Sequence, residues 1–535
     1  MKRILQITFF MLISVISFCQ QVMLLKNINP GAAGSFNFGT DTPTFEYKDR
    51  LYFVANSPEF GIELWVYDGE KTELFKDINP GANSAVVDFI FQVGDKMVFA
   101  ADDGVHGYEL WVSDGTPENT KLMIDLLPGS GDGLSKCCYT YSSRFFHVFN
   151  NELYFNGNRP NFGIRFFKTD GTAQGTVELA ALNGSQRQAS GFLEWKGNLY
   201  FEVLFEGFWK TDGTPSGTKQ IKEGTNDFEP NYLTDMGEYI LMANGYDNDI
   251  WISDGTLAGT KLVKKMFHPA AVNNVGHYFL RFGNKAYFPG SNPASNTEMW
   301  KTDGTELGTV QVSEIEIAIN PFIPEYPKRR VVLKDKIYYL GGNQELGSQI
   351  FVIDPITDKT ELLIDLKDKI NGQVYFQTDL VANEKHIFFV AGNAFDRELW
   401  YSDGTEAGTF EVEISTNGES TPERLTLFKD KLFFFAQGNS VGYEPHVLDL
   451  NKLISSTKNY EKNGNFFFPN PVFNQLNLIL ENTIKKAEVF DIAGRLEAVY
   501  YDSESLNVSN LNPGMKFIRV LDSSNTVHSS RFLKM

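Results

Sequence analysis

The chain of 535 residues has few cysteines, few histidines and too few basic side chains to balance its acidic ones. Three cysteines cannot form a disulfide framework for a chain of this length, and no Cys or His pair stands at a spacing typical of a zinc site. With 48 Lys and Arg against 67 Asp and Glu the net charge is −19, which repels phosphate backbones and excludes nucleic-acid binding through a basic groove. Beyond residue 19 no apolar run reaches the roughly 20 residues that a membrane-spanning helix needs.

The chain is rich in aromatic residues. Phe 46, Tyr 22 and Trp 7 make up 14% of it, while charged residues make up 21%. Such a composition can bury ample apolar surface, so we expect a folded chain rather than a disordered one. The length allows two to four domains, or one large repeat array with a smaller unit beside it.

The first 19 residues have the features of a secretory signal peptide. Two basic residues precede the apolar residues 4–16, and Ser17 and Cys19 place small side chains at positions −3 and −1 before Gln20. We therefore predict export, with the exported chain beginning at Gln20. The alternatives are a membrane anchor, for which the apolar run is short, and lipidation of Cys19, which the bulky preceding residue disfavours.

A repeat occupies most of the chain. Its fullest form, residues 107–116, reads Gly-Tyr-Glu-Leu-Trp-Val-Ser-Asp-Gly-Thr. Nine copies recur at intervals of about 48 residues, and six of the seven tryptophans stand at the same motif position. The motif aspartates are Asp68, Asp114, Asp170, Asp212, Asp254, Asp303, Asp354, Asp403 and Asp449.

Each repeat predicts a small antiparallel sheet. An upstream strand such as residues 49–54, the motif strand, a strand after the Gly-Thr and one weaker strand make about four. The motif strand carries apolar side chains on both faces, so neighbouring sheets must cover both sides. Stacked units of this size predict an all-β fold, a β-propeller ring of eight or nine four-stranded blades, with an open superhelix as the alternative.

The two ends of the array predict how it closes. The last repeat stops after Leu450 without its fourth strand, whereas residues 22–31 match the fourth-strand segment that begins at Phe75. We predict that the strand near Leu24 completes the last unit, around residues 444–449, because this pairing removes an open sheet edge.

The repeat resembles the ELWxxDGT repeat of exported bacterial proteins, over residues 20–450. The resemblance implies a surface or secreted repeat protein, and it implies no particular reaction.

The C-terminal residues form a separate unit. The polar residues 451–465 interrupt the repeat and predict a linker. Beyond them stand Pro469-Asn470-Pro471, then Asp491-x-x-Gly494-Arg495, then Leu511-Asn512-Pro513-Gly514 and a basic end. This order resembles the type IX secretion C-terminal sorting domain of Bacteroidota, over residues 466–535. The resemblance implies a small β-sandwich that engages the type IX secretion machinery, and it implies release from the cell or attachment to its outer surface. An ordinary adhesive β-sandwich is the alternative.

The sequence contains no recognisable catalytic or cofactor motif. HExxH, GxSxG and a complete Walker loop are missing, so we predict no catalytic residues and no cofactor. Residues 213–219 look like a phosphate loop, but their recurrence predicts a hairpin in which Asp caps the turn and Gly takes a positive φ.

Calcium is the alternative at the acidic segments of the repeat array. One Asp with hydroxyl groups is a poor ligand set for this ion, so plain loops are favoured. The candidate metal ligands are Asp102, Asp103, Asp247 and Asp249.

Residues 126–148 are the segment where we expect a ligand. They stretch one repeat to 56 residues, and blade-specific loops carry function in propellers. The candidate ligand-binding residues are Tyr139, Tyr141 and His147. The adjacent Cys137 and Cys138 form either a vicinal disulfide or two buried thiols, of which thiols are favoured. The motif tryptophans, by contrast, recur in most units, and we interpret them as packing residues.

Three classes of function remain. The favoured one is a non-enzymatic exported protein that binds a glycan, another protein or the cell surface. The alternatives are a polysaccharide hydrolase or lyase with its site at the propeller channel, and a structural coat protein. Two carboxylates, or a cluster of His, Tyr and Arg, converging on the inner strands and their loops would favour the enzyme.

Overall fold

The computed structural model describes most of the chain beyond residue 21. The described residues are 22–31, 34–36, 44–134, 142–182, 187–225, 227–245, 249–267, 279–291, 297–316, 330–343, 347–368, 370, 374–376, 380–393, 397–412, 414–415, 420–438, 441–453, 467–468, 472–478, 480, 483–491, 495–523 and 527–535. They form β-strands and short 3-10 turns, and within them no helix is long and apolar enough to cross a membrane.

Up to residue 452, the described residues form nine antiparallel sheets. Sheet 1 contains β2 (Thr44–Tyr47), β3 (Arg50–Ser57), β4 (Gly61–Tyr67) and β5 (Thr72–Lys76). Sheet 2 contains β6 (Asp88–Val93), β7 (Lys96–Asp102), β8 (Tyr108–Ser113) and β9 (Lys121–Ile124). Sheet 3 contains β10 (Phe146–Phe149), β11 (Glu152–Arg159), β12 (Gly163–Thr169) and β13 (Val177–Ala180). Sheet 4 contains β14 (Ala189–Trp195), β15 (Asn198–Val203), β16 (Gly207–Thr211) and β17 (Lys219–Glu223).

The remaining sheets follow the same plan, except that sheet 8 has five strands. Sheet 5 contains β18 (Pro230–Asp235), β19 (Ile240–Asn244), β20 (Ile250–Ser253) and β21 (Lys261–Lys264). Sheet 6 contains β22 (Leu280–Phe282), β23 (Lys285–Ser291), β24 (Thr297–Thr302) and β25 (Val310–Glu316). Sheet 7 contains β26 (Arg330–Leu333), β27 (Lys336–Asn343), β28 (Gly347–Asp354) and β29 (Lys359–Leu362). Sheet 8 contains β30 (Tyr375–Phe376), β31 (Val381–Ala382), β32 (Ile387–Gly392), β33 (Arg397–Ser402) and β34 (Thr409–Val412). Sheet 9 contains β35 (Glu423–Phe428), β36 (Lys431–Gly438), β37 (Val441–Asp449) and the N-terminal β1 (Val22–Leu24).

The pairing of β1 confirms the predicted completion of the last repeat. Val22 lies opposite Leu448 and Leu24 opposite His446, antiparallel to β37. The Glu444 carboxylate, in β37, accepts hydrogen bonds from two backbone N–H groups of the segment after β1, at 3.0 and 2.9 Å. Strands from the beginning and from the end of the repeat array are therefore joined in one sheet.

The core consists of apolar side chains shared between neighbouring sheets. Tyr52 of sheet 1 and Phe99 of sheet 2 belong to one buried cluster. Sheet 9 packs on sheet 1 in the same way, with the rings of Phe53 and Phe433 5.1 Å apart. The motif tryptophans lie in these clusters, as predicted: Trp65 is 4% exposed and Trp400 is 2% exposed.

The Asp-Gly-Thr motif forms the turn predicted for it. In sheet 2, Asp114 Oδ1 accepts hydrogen bonds from the backbone N–H and the hydroxyl of Thr116, at 2.9 and 2.6 Å, and Gly115 has a φ of +93°. The Ser113 hydroxyl lies 2.7 Å from that of Thr120, which joins the two strands flanking the turn. The motif is therefore a self-satisfied hairpin.

The motif glutamate holds the connection from its sheet to the next. The Glu63 carboxylate is fully buried and accepts hydrogen bonds from the N–H groups of Ile78 and Asn79, both at 3.0 Å. Burial raises the pKa of Glu63 to about 8, although these N–H groups act in the opposite direction. Glu109 makes the equivalent contacts in sheet 2, and burial raises its pKa to about 7.

The C-terminal unit begins at Leu453 and has its own core. One sheet contains β38 (Phe467–Phe468), β39 (Gln475–Leu478) and β42 (Ser505–Asn507). The other contains β40 (Ile484–Phe490), β41 (Leu496–Tyr501), β43 (Gly514–Asp522) and β44 (Val527–Lys534). Apolar residues of both sheets, such as Leu476, Val489 and Val520, are buried together.

Candidate functional site

The antiparallel plan gives every four-stranded sheet two distinct ends. The first strand starts and the fourth strand stops at the same end, so the links between sheets lie there together with the loops between second and third strands. We call this the connection end. The other end carries the tight turns, including Asp-Gly-Thr, and we call it the turn end.

The predicted acidic candidates at the connection end are engaged within their own loops. Asp102 Oδ1 accepts a hydrogen bond from the N–H of Gly104 at 2.8 Å. Asp103 Oδ1 accepts from two backbone N–H groups, and its Oδ2 lies 2.8 Å from Nδ1 of His106. Burial opposes ionisation of Asp103, but the hydrogen bonds from His106 outweigh it and lower the pKa of this carboxyl.

Of the second pair of acidic candidates, Asp247 and Asp249, the structure describes only Asp249. Asp247 lies outside the described residues. Asp249 is buried, and its Oδ1 accepts a hydrogen bond from the N–H of Met266 at 2.7 Å. Asp249 thus stands where Glu63 stands in sheet 1. The described residues contain no group of three or more His, Cys, Asp and Glu that could hold a metal ion.

Of the predicted ligand-binding residues, the structure places His147. Its Nε2 lies 3.0 Å from Oε1 of Glu194, which joins β10 to β14, and its ring lies 5.9 Å from that of Phe192. Tyr139, Tyr141, Cys137 and Cys138 lie outside the described residues.

The connection end of sheets 3 to 5 holds five charged residues, which we call the charged cluster. Its members are Arg144, Arg187, Glu202, Glu206 and Glu229. Arg144 follows the long insertion and pairs with Glu202, at the end of β15, and its guanidinium lies 3.4 Å from Oδ1 of Asn231. Glu202 also accepts a hydrogen bond from the Ser190 hydroxyl at 2.9 Å.

The second half of the cluster surrounds the loop between β15 and β16. Arg187 lies 3.5 Å from Glu206 and donates a hydrogen bond to the Phe205 carbonyl at 3.3 Å. Glu229, from the link between sheets 4 and 5, accepts a hydrogen bond from the Phe205 N–H at 2.7 Å. The N–H and the carbonyl group of Phe205 therefore each form a hydrogen bond with a charged side chain.

The three carboxylates are buried, whereas the two arginines are about one-third exposed. Glu202, Glu206 and Glu229 are each 4 to 6% exposed. Burial raises the pKa of Glu229 to about 7; the Phe205 N–H and Arg187 lower it, and the charge of Glu202 raises it further. The cluster thus offers partly exposed guanidinium groups beside a carboxyl that exchanges a proton near neutral pH.

Phe205 has an unusual backbone conformation. The N–H of Glu206 donates to the Val203 carbonyl at 2.8 Å, which closes a turn with Phe205 at its third position. Its φ is +62°, in the region where Gly or Asn is normal, and such a conformation costs a bulky residue about 1 to 3 kcal/mol. Phe205 is 59% exposed and the preceding Leu204 is 52% exposed.

Sequence reasoning located part of this site and missed the rest. It selected the insertion before β10, from which Arg144 comes, but the charged cluster draws on three sheets and residues up to 85 positions apart along the chain. A usable signal was the motif glutamate itself: sheets 3 and 4 carry Arg165 and Gly207 at that position. The loss of the motif Glu in these two repeats indicates that their connection end differs from that of the other sheets.

Comparison with known proteins identifies the C-terminal unit. Residues 466–534 match the family described as the secretion system C-terminal sorting domain. This domain of the type IX system implies interaction with the type IX secretion machinery, so the protein is exported and is secreted or attached at the outer cell surface. No curated protein sequence matches the chain.

Solved structures with similar folds are distant. PorZ, a surface component of the type IX secretion system of Porphyromonas gingivalis, is 11% identical, with a TM-score of 0.34 over 93% of this chain and 75% of its own. The computationally designed protein Ika8 is 10% identical, with a TM-score of 0.37 over 79% and 100%. A puromycin-hydrolysing peptidase of Mycobacterium tuberculosis is 12% identical, with a TM-score of 0.35 over 66% and 58%. At these TM-scores the likenesses carry no argument about function.

Proposed function

We propose that residues 20–450 are a closed β-propeller of ELWxxDGT-type repeats that binds a glycan or a protein at the cell surface through the charged cluster. Two observations support closure of the ring: β1 completes sheet 9, and sheet 9 packs on sheet 1 as other sheets pack on their neighbours. Closure brings the connection ends of the sheets onto one face of the ring. Blade-specific side chains on that face are the usual place for a ligand.

The observation that carries the binding role is the arrangement of Arg144 and Glu202. The pair depends on side chains from two different sheets and has no counterpart in the repeated motif, so the stacking of the sheets does not require it. A guanidinium that is 36% exposed and paired with a buried carboxylate has a fixed direction and presents a positive charge to a ligand.

Binding can be tested on washed cells of the producing species that lack the gene. Labelled full chain should be retained on these cells, and Arg144→Ala should weaken retention at least tenfold. Lys168→Ala is the matched control, because Lys168 forms an ion pair with Glu152 at 2.8 Å, at the turn end of sheet 3. Equal retention of the Arg144 variant and the native chain would contradict the proposal.

One observation favours a second function, cleavage of a polysaccharide. Burial raises the pKa of Glu229 to about 7, and the negative charge of Glu202 contributes to this increase. A carboxyl with a raised pKa beside a second carboxylate has the properties of a general acid. Release of reducing ends from a soluble polysaccharide, lost in Glu229→Gln but not in Glu178→Gln, would establish the enzyme. Glu178, which is paired with Arg159 on the outer strand of sheet 3, serves as the control.

The role of the C-terminal unit in this proposal is export alone. We expect it to be removed by cleavage within residues 451–465, because a polar linker between two units is accessible to a protease. Truncation after Asn465 should leave a folded ring in the periplasm. Delivery of that truncated chain to the surface, or intact Met535 on the surface form by mass spectrometry, would show that the unit is an adhesive domain instead.

A further inference from the structure

The loop between β15 and β16 displays an aromatic side chain in a way that folding does not require. Phe205 occupies the turn position that favours Gly or Asn, and its side chain extends into solvent. Sheet 3 has the same turn, closed by the Phe162 N–H on the Arg159 carbonyl at 3.1 Å, and there the residue with positive φ is Asn161, at +65°. The chain thus contains an ordinary version of this turn as well as the strained one.

The strained turn is held by the charged cluster. Glu229 accepts the hydrogen bond of the Phe205 N–H, and Arg187 donates to the Phe205 carbonyl. Two side chains from two different links between sheets therefore fix the peptide groups on either side of Phe205. A strained conformation that its surroundings maintain is characteristic of functional sites.

The Phe205 ring also differs from the exposed ring on the neighbouring loop. The Arg165 guanidinium lies 5.6 Å from the centre of the Phe162 ring, so one face of that ring is already covered. Among the described residues, the Phe205 ring has no aromatic or cationic partner. An open aromatic face beside hydrogen-bonding groups suits the C–H face of a sugar ring, because the face of an aromatic ring is negative.

The charges around Phe205 select among possible ligands. Arg187 faces Glu206, and Arg144 faces Glu202, so the arginines are balanced by carboxylates. Among the described residues of the loops between second and third strands in sheets 2 to 4, the exposed apolar side chains are Val105, Phe162 and Leu204 with Phe205, on three separate loops. A protein partner needs a continuous apolar centre, and an acidic polysaccharide needs unbalanced positive charge.

We propose that Phe205 is the stacking platform for a neutral polysaccharide, with the partly exposed Arg187 guanidinium donating hydrogen bonds to the hydroxyl groups of the stacked sugar. Glu229 and Arg187 also act as positioning residues that hold the aromatic ring outward. This inference rests on the proposed binding function and specifies its ligand class.

The test uses the full chain in native gels that contain mannan, xylan, starch or laminarin, with polygalacturonate as the acidic comparison. At least one neutral polysaccharide should retard the chain. Phe205→Asn, which copies the turn of sheet 3, should weaken this binding at least tenfold while the melting temperature stays equal or rises. Phe205→Trp should retain binding, and Phe162→Asn, on the neighbouring loop, should retain it as well.

Several outcomes would overturn the inference. These are retardation by polygalacturonate only, no retardation by any neutral polysaccharide, unchanged binding of Phe205→Asn, or a lower melting temperature for that variant, which would make Phe205 a packing residue. Retention of the native chain on cells together with no retardation in any gel would reject the neutral polysaccharide and leave the proposed binding function standing. If the native chain is neither retained on cells nor retarded in any gel, both the proposed binding function and the neutral polysaccharide are rejected.

Discussion

Replacement of Glu63 by Gln should make the protein more stable in alkaline solution, although it removes a buried group with two hydrogen bonds. The chain contains the precedent, because sheet 7 has Gln349 at the motif position. Its Oε1 accepts the Leu366 N–H at 3.2 Å, and its Nε2 lies 3.2 Å from Oδ1 of Asp365. In sheet 1 the residue equivalent to Asp365 is Asp77, whose buried Oδ1 has no hydrogen-bond partner among the described residues. In the Glu63→Gln variant, the side-chain amide N–H would donate a hydrogen bond to this oxygen.

The size of the effect follows from the pKa of Glu63. Burial raises it to about 8 in the folded protein, so the folded state binds this proton more tightly than the unfolded state, where the pKa is near 4.5. This contribution to stability is complete below the unfolded pKa and decreases as the pH rises toward 8, by about 1.4 kcal/mol per pH unit for one group. Loss of one N–H acceptor costs about 1 to 2 kcal/mol. The penalty on ionised Glu63 at pH 8.5 is about 5 kcal/mol, so the net gain for Glu63→Gln is on the order of 3 to 4 kcal/mol there, and at pH 5 the variant should be about 1 kcal/mol less stable than the native chain.

The assay is urea unfolding followed by tryptophan fluorescence at pH 5 and pH 8.5. Glu63→Ala is the control: it leaves both N–H groups without an acceptor and should be less stable than the native chain at both pH values. A Glu63→Gln protein that is less stable than the native chain by the same amount at both pH values would refute the reasoning. It would show that the backbone N–H groups keep the carboxylate ionised despite its burial.

Three other changes test the packing of the repeats. Deletion of residues 22–31 should lower the melting temperature by more than removal of an exposed loop, because sheet 9 loses a strand; unchanged melting would mean that the strand is dispensable. Trp111→Ala and Trp400→Ala should each destabilise by about 3 to 5 kcal/mol in urea unfolding. Trp400→Phe should cost more than Trp111→Phe, because the Trp400 indole donates a hydrogen bond to the Ala391 carbonyl at 3.1 Å, whereas the buried Trp111 indole N–H has no partner among the described residues. Gly217→Ala should lower the melting temperature, because its Cβ would lie 2.0 Å from Oδ1 of Asp212; equal stability would show that the turn adapts freely.

Much of the fold followed from the repeated motif. The spacing of the motif predicted eight or nine units of about four strands, and the described residues up to 452 form nine sheets, eight with four strands and one with five. The match between residues 22–31 and the segment at Phe75 predicted the partner of β1. These features are local, since a strand and its turn depend on residues within one repeat. The role of the motif Glu did not follow in the same way, because its backbone partners lie about 15 residues further along the chain, in a link without regular structure.

The candidate site was predictable only in part. The insertion before β10 was recognisable as a departure from the repeat, and His147 does connect two sheets. Nothing in the sequence indicated that Phe205 adopts a positive φ, because this conformation depends on Glu229 and Arg187, which lie on two separate links. The acidic pair at Asp102 and Asp103 looked more promising in the sequence, yet both side chains satisfy backbone groups of their own loop.

The sequence by itself determined the repeat unit, its all-β character, the turn chemistry of Asp-Gly-Thr and the presence of a sorting domain, because each depends on residues that are close in the chain or on a pattern that recurs. Only the tertiary structure decided which charged side chains meet. The buried carboxylates of Glu202 and Glu206 meet Arg144 and Arg187, which come from other segments of the chain. That proximity is created by the stacking of sheets, which no local pattern records.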